Sequence, residues 1–280
     1  MSYLDHTMIS ERSYYENSKL WNTENFGAAD KERFAILATK LPPNTGSLLD
    51  VGCGNGLFLK YISRLRDRQF ERLYGVDRSN AALAFVECQK IQCSIDSLPF
   101  LTESFDAVTC MEVLEHLPQQ TYISALNELS RVANKFIIIT VPYKESLRSS
   151  LTECIMCSCH FHPNYHLRSF NEQSIALLFE NTQFFCRELF YIYRQKIIPP
   201  AFKSFVRLIW LIKRSVLHQP RLLMPPYTIC PACGYVNNVQ SNQNSPLTNN
   251  STNLFLKTHI HRLLRFSYTW RWIGAIYERS

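Results

Sequence analysis

Apolar and polar positions change rhythm three times along the chain. Over residues 46–142, short apolar runs alternate with stretches whose apolar residues recur at helical spacing. Leu48, Leu49 and Val51 form one such run, and Leu57, Phe58, Leu59, Tyr61 and Ile62 form the helical stripe after it. The pattern predicts strands over 47–51, 72–76, 91–94, 105–110 and 136–141, and helices over 57–66, 79–89 and 119–133. Alternation of this kind specifies an α/β fold, a parallel sheet with helices on both faces. Residues 1–45 read as a helical lead-in. There Tyr14, Tyr15, Leu20 and Trp21 precede a helix from Lys31 to Leu41, which Pro42-Pro43-Asn44 stops. Residues 143–280 lose the alternation. They hold a loop dense in Cys and His, a helix at 171–180 and an extended run from Phe184 to Tyr193. A basic amphipathic helix over 197–223 follows, then an Asn/Ser/Gln-rich tract at 237–253 that reads as a disordered loop, and a closing strand from Tyr268 to Tyr277.

In a parallel sheet of this type, ligands sit beyond the carboxyl ends of the strands. Asp50, Asp77, Ser94 and Met111-Glu112 all fall at such ends. After the first strand comes Asp50-Val51-Gly52-Cys53-Gly54-Asn55-Gly56, which brings backbone N–H groups and a helix start toward a nucleotide-like ligand. A dinucleotide fingerprint would place a further glycine where Leu57 stands, so a pyrophosphate-bearing cofactor fits poorly. Asp77 closes the next strand about 20 residues on, where a carboxylate accepts from ribose hydroxyls.

These blocks, with Gly75-Val76-Asp77, Ser97-Leu98-Pro99-Phe100, Ser104-Phe105-Asp106 and Glu112-Val113-Leu114-Glu115-His116-Leu117, resemble the class I S-adenosylmethionine (SAM)-dependent methyltransferases. The resemblance is to the bacterial type with a Cys-x-x-Cys insertion. It implies a Rossmann-like seven-strand sheet, a cysteine-rich cap, and SAM as cofactor. It also implies cofactor contacts from Asp50, Gly52, Cys53, Gly54, Gly56, Asp77, Arg78, Ser94, Ile95 and Met111. Asp50 would lie near the amino end of SAM, Asp77 on the ribose, and Ser94 and Ile95 beside the adenine. The family often has Asp where this chain has Ser94. Cys53 reads as packing in the loop, not as a nucleophile. In such enzymes an N-terminal segment folds over the cofactor, which makes Tyr14, Tyr15 and Trp21 candidates for a lid.

Two further clusters carry chemistry. Cys154-x-x-Cys157 and Cys230-x-x-Cys233 have the spacing of two zinc knuckles, each supplying two thiolates from one turn. The alternatives are four unpaired cysteines, or replacement of one ligand by Cys159, His160 or His162. The run His166-Leu167-Arg168-Ser169-Phe170 adds to the bacterial resemblance. Glu112, Glu115 and His116, with His166, suit Mg²⁺, Mn²⁺ or Zn²⁺. They resemble the metal-holding run of ubiquinone-pathway O-methyltransferases and small-RNA 2′-O-methyltransferases, although the same residues also cap and pack in metal-free relatives. Without a metal, His116, His162 and His166 are candidate general bases.

Composition adds a charge asymmetry. Residues 1–188 carry 18 Lys/Arg against 22 Asp/Glu, whereas residues 189–280 carry 12 against Glu278 alone. The basic end reads either as a solvated face or as a surface for an anionic partner such as lipid headgroups or RNA. Met1 to His6 lack the basic start and apolar core of a secretory signal, and ten cysteines without one suggest reduced thiols and a cytoplasmic or membrane-peripheral setting. The reading is a SAM-dependent methyltransferase acting, at oxygen, on a small-molecule, glycan or lipid-linked acceptor. The alternatives are a metal-assisted RNA 2′-O-methyltransferase and a non-catalytic SAM- or zinc-binding adaptor.

Overall fold

A computed structural model describes residues 3–22, 27–65, 70–197, 224–225, 227–237 and 267–280. Seven strands form one sheet: β1 (Ser47–Val51), β2 (Arg72–Asp77), β3 (Gln89–Gln92), β4 (Phe105–Met111), β5 (Ala133–Pro142), and two later strands separated by a long stretch of chain. Between β5 and those strands lies a small hairpin of β6 (Thr152–Glu153) and β7 (His160–Phe161). The two late strands are β8 (Phe184–Ile197) and β9 (Ser267–Arg279). The order is β3-β2-β1-β4-β5-β9-β8. Strands β1 to β5 pair in parallel, and β9 runs antiparallel between β5 and β8. The expected seven-strand α/β sheet is therefore present, closing strand included.

Alternation along each central strand splits the core between the two faces. Leu49, Val108, Ile137 and Ile139 pack on one face with Leu129 of the helix Gln119–Val132. Leu48, Ala107 and Ile138 face the other way, against Phe34 and Leu37 of the helix Ala28–Lys40 and Phe58 of the helix Leu57–Ile62. At the amino-end rim, Asp106 Oδ2 accepts from the N–H groups of Gly46 and Ser47, each at 3.0 Å. Every loop that follows a parallel strand then opens at the opposite rim.

Several helices are shorter than the apolar spacing suggests. The one expected over 79–89 spans only Asn80–Leu83. Lys90 Nζ donates to the carbonyls of Leu83 and Val86, at 2.7 and 2.9 Å, and so ends the helix and turns the chain into β3. That strand starts and stops two residues early, which leaves Ser94 beyond its end. The helix expected over 171–180 covers Glu172–Ala176, started by an Asn171–Ser174 capping box. The basic helix at 197–223 and the tract at 237–253 lie, apart from Ile197 and Asn237, outside the described residues. Among the described residues no helix is long and apolar enough to cross a membrane.

Gly274 of β9 lies against the ring of Phe190 across the β8 pair, and a Cβ there would stand 2.3 Å from Phe190 Cζ. Because Phe190 is buried, the ring cannot swing away freely. Gly274→Ala should cost about 1–3 kcal/mol, measured as a lower urea midpoint, and adding Phe190→Leu should recover part of it. An unchanged midpoint would contradict this packing.

Candidate active site

The glycine loop is built from left-handed backbone, with φ of 73° at Gly52, 54° at Gly54 and 75° at Gly56. Two of these glycines also admit a close neighbour: a Cβ at Gly52 would lie 2.3 Å from Val113 Cγ2, and one at Gly54 would lie 2.9 Å from the Trp21 ring. The N–H groups of Gly52 and Cys53 both donate to Val76 O, tying the loop to β2. Asp77, at the end of β2, then accepts from two loops at once. Its Oδ2 takes Gly54 N–H and its Oδ1 takes Ser79 N–H, both at 2.8 Å.

Asp50 is fully buried. Its Oδ1 accepts from Thr109 Oγ1 at 2.7 Å, and its Oδ2 has no hydrogen-bond partner among the described residues. Burial pushes its carboxyl up to about 7, against the opposing effect of Thr109. Burial also raises Asp77, opposed by its two backbone donors.

A cavity of about 540 Å³ opens over this rim. It is lined by the expected cofactor residues Asp50, Gly52, Cys53, Gly54, Asp77, Arg78, Ser94, Ile95 and Met111. Gly56 is set back from it and serves as the cap of the following helix, 3.0 Å from Val86 in Cβ terms. Arg78 pairs with the buried Glu11 of the helix Tyr3–Tyr15, which the sequence did not single out. Residues of the lead-in reach the cavity. Trp21 and Tyr15 line it, Trp21 Nε1 donates to Tyr15 O at 2.7 Å, and Asn55 Nδ2 donates to Trp21 O at 2.9 Å. Ser79 Oγ donates to Tyr15 O at 2.8 Å and pins this lid to β2. Tyr14 points elsewhere, with its ring centre 5.6 Å from that of Tyr165.

The acidic and imidazole groups arrange themselves differently from the expected quartet. Glu115, His116 and His166 come together, with one ligand-type atom from each lying within 4.8 Å of the others. Glu112 is not part of that group. Its backbone is left-handed (φ 56°), and its carboxylate accepts from Trp272 Nε1 at 2.5 Å and lies 3.8 Å from Arg33. Burial nevertheless pushes Glu112 up to about 7. Both Glu115 oxygens and His116 Nδ1 are buried without a partner among the described residues. Burial drives the Glu115 carboxyl well up, with Glu112 adding to the shift, and drives His116 well down.

Glu145 meets His166 in a second group, together with His162. It follows β5 by three residues, so the rule that loops after parallel strands share one rim would have pointed to it. Its Oε2 lies 2.5 Å from His166 Nδ1, and its Oε1 lies 3.3 Å from His162 Nε2. Burial works to raise the Glu145 carboxyl, but the two imidazoles outweigh it and hold it down at about 2. His162 is fixed as a tautomer: its Nδ1 accepts from the N–H groups of Asn164 and His166, at 3.3 and 3.2 Å. Its proton therefore sits on Nε2, facing Glu145, and its acceptor nitrogen is already used. His162 lines a second, smaller hollow instead of the main cavity. Of the three candidate bases, His116 is proton-poor and His162 is committed, which leaves His166.

Cys154, Cys157, Cys230 and Cys233 converge although 73 residues separate the inner pair in sequence, with all four sulfurs within 4.8 Å of one another. Cys159 is not one of the four but packs beside them, its Sγ donating to His160 O at 3.8 Å.

A parallel sheet, a glycine loop after its first strand, an acid ending the second, and a cavity above both are the features that the resemblance to class I SAM-dependent methyltransferases implies. Residues 49–136 match the family described as a methyltransferase domain. An uncharacterised protein of Methanocaldococcus jannaschii is 28% identical over 184 residues, covering 64% of this chain and 75% of that one. The ubiquinone biosynthesis O-methyltransferase of Xanthomonas axonopodis is 32% identical over 121 residues, covering 41% of this chain. The chain spans about half the length of that relative, 51%. Among solved structures, a chain of the complex between the Haloferax volcanii Trm112 methyltransferase activator and a methyltransferase superposes with a TM-score of 0.52 at 13% identity, over 96% of this chain and 97% of that one. That likeness bears on the fold.

Glu115 generates a stability prediction. An unfolded Glu loses its proton near its ordinary value of 4.5, whereas folded Glu115 keeps it far higher. Stability is therefore lost as pH rises above the unfolded value, until the folded group also ionises. Glu115→Gln should stabilise the metal-free protein by about 1–3 kcal/mol near pH 8 and by less near pH 5, read from urea midpoints. Equal midpoints at the higher pH would show that Glu115 is not held protonated.

Proposed function

We propose that this protein transfers the methyl group of SAM to a hydroxyl of a small-molecule, glycan or lipid-linked acceptor, with His166 as the proton acceptor. The observation that carries the reading is the placement of His166. It lines the same cavity as the glycine loop while its Nδ1 is taken by Glu145. Nε2 is then the nitrogen left to receive a proton, and the Glu145 carboxylate stabilises the imidazolium that results.

The residues present fit SAM. A cavity of about 540 Å³ is in the range of cofactor sites. The orphaned Asp50 Oδ2 suits the ammonium end, and Asp77, anchored by Gly54 and Ser79, suits vicinal ribose hydroxyls. Ser94 and Ile95 line the side where the adenine would lie, and Arg78 and Met111 complete the set. SAM supplies an activated methyl on a sulfonium, so the protein's share is orientation, water exclusion and removal of one proton. Tyr15 and Trp21 line the cavity, and burial keeps His116 from taking a proton beside His166, with ring centres 4.7 Å apart.

A second reading rests on the two unpartnered oxygens of Glu115. A divalent ion held by Glu115, His116 and His166 would satisfy them and would acidify a bound hydroxyl. One carboxylate and two imidazoles suit a zinc-like ion better than Mg²⁺. This version accommodates an RNA 2′-hydroxyl as acceptor, with the basic carboxyl-terminal part, largely outside the described residues, meeting the phosphates or an anionic membrane. The four clustered cysteines enter both readings as a structural zinc site.

Calorimetry should show SAM binding that Asp77→Ala weakens at least about tenfold. A bound ammonium favours ionised Asp50, so affinity should fall as pH drops through about 7, and Asp50→Asn should flatten that slope. Unchanged affinity in Asp77→Ala would remove the ribose assignment.

Turnover of SAM to S-adenosylhomocysteine with a panel of phenolic, glycan and polyprenyl hydroxyl acceptors tests the chemistry. His166→Ala should cost roughly 10²–10⁴-fold in kcat while SAM affinity holds. Turnover that survives EDTA selects the metal-free reading, and EDTA-sensitive turnover restored by Zn²⁺ or Mn²⁺ selects the second.

A further inference from the structure

The two cysteine knuckles repeat one another bond for bond. Ser158 N–H donates to Cys154 O and Gly234 N–H to Cys230 O, both at 2.9 Å. Cys154 N–H donates to Cys159 O at 2.9 Å and Cys230 N–H to Tyr235 O at 2.8 Å. The residue after the second cysteine is left-handed in each, with φ 58° at Ser158 and 72° at Gly234. Sulfurs from opposite knuckles stand 3.7 Å apart (Cys154 and Cys233) and 3.6 Å apart (Cys157 and Cys230). Four thiolates about 2.3 Å from one tetrahedral ion are separated by about 3.8 Å, whereas a disulfide would need about 2.05 Å. The spacing is that of a shared ion.

The cluster has a direct line to the active site. Tyr165, next to His166, is 1% exposed, and its hydroxyl both donates to Ile229 O (3.0 Å) and accepts from Ile229 N–H (2.9 Å). Ile229 immediately precedes Cys230. The Tyr165 N–H donates to His162 O at 2.9 Å, inside the same tight turn whose His166 N–H donates to His162 Nδ1. Both ends of this turn are therefore referred to the knuckles: Phe161 pairs with Thr152 in the hairpin around the first, and Tyr165 is bonded to the second. Tyr14 of the lid helix packs on the Tyr165 ring.

We propose that a zinc ion held by Cys154, Cys157, Cys230 and Cys233 is a strut that positions His166 in the cavity, acting through Tyr165. The proposal rests on the reading of His166 as the proton acceptor. Tyr165 is a positioning residue: it touches neither cofactor nor acceptor, and it converts the rigid knuckle pair into a fixed imidazole. Without the ion, the segment before Cys230 is free to part from the turn, and His166 loses its register with the cavity.

The test uses the full chain. Purified protein should contain about one zinc, and Co²⁺ substitution should give the intense thiolate-to-metal absorption of a sulfur-rich tetrahedral site. Tyr165→Phe keeps the ring and removes both bonds to Ile229. It should retain zinc and SAM affinity, lower kcat roughly 10- to 100-fold, and shift the His166 imidazole nitrogen resonances in the same direction as zinc removal does. Cys230→Ser should lose the metal and show the same resonance change. A zinc-free native protein, or a Tyr165→Phe variant with native kcat and native His166 resonances, overturns the strut. His166→Ala with undiminished turnover overturns the underlying reading instead, and the resonance comparison still decides whether the strut exists.

Discussion

The organisation of the site depends on one carboxylate that accepts from two loops. Asp77 binds Gly54 N–H with one oxygen and Ser79 N–H with the other, so the turn after β1 and the turn after β2 are set relative to each other by a single side chain. Ser79 passes that reference on through its hydroxyl to Tyr15 O, and Tyr15 O also receives the Trp21 indole. Floor and lid thus share one anchor. An anchored carboxylate is also restrained in orientation, which suits it to a ribose whose two hydroxyls require a fixed pair of acceptors.

Across the cavity, polar burial of a different kind prevails. Asp50 and Glu115 are fully buried, and Asp50 Oδ2, both Glu115 oxygens and the buried Nδ1 of His116 have no partner among the described residues. Leaving such groups unmet costs stability, and sites that tolerate the cost are those in which a ligand meets them later. Glu145 is the counterexample within the same rim: clamped by His162 and His166, it stays ionised. The contrast gives these carboxyls separate roles. One group is left with open acceptors among the described residues, and the other is engaged with an imidazole.

Most of the sheet was legible because strand alternation and glycine placement are local properties. The bounds of β1 match the expected strand over 47–51, and β9 was visible in the aromatic and β-branched run near the end. The ends of the short helices were not, because Lys90 terminates one by capping carbonyls from a neighbouring strand. The cysteine pairs were legible as ligand types, and their meeting followed from both connections leaving one rim. The Glu/His group was only half legible. Motif spacing grouped Glu112 with Glu115, yet Trp272, 160 residues away, draws Glu112 aside. Glu145 carries no motif of its own, and only the folded rim brings it to His166. Tyr165 is likewise silent in sequence, since its partner at Ile229 is 64 residues distant.

The claim at the centre of the account is that cofactor, lid and His166 share one cavity. A crystal structure of the full chain with S-adenosylhomocysteine tests it most directly. The expected structure has the ribose hydroxyls on Asp77, the amino end at Asp50, Trp21 over the glycine loop, and the sulfur on the side of the cavity that His166 lines. A ligand bound away from the Gly52–Gly56 loop, or a sulfur turned away from His166, would contradict it.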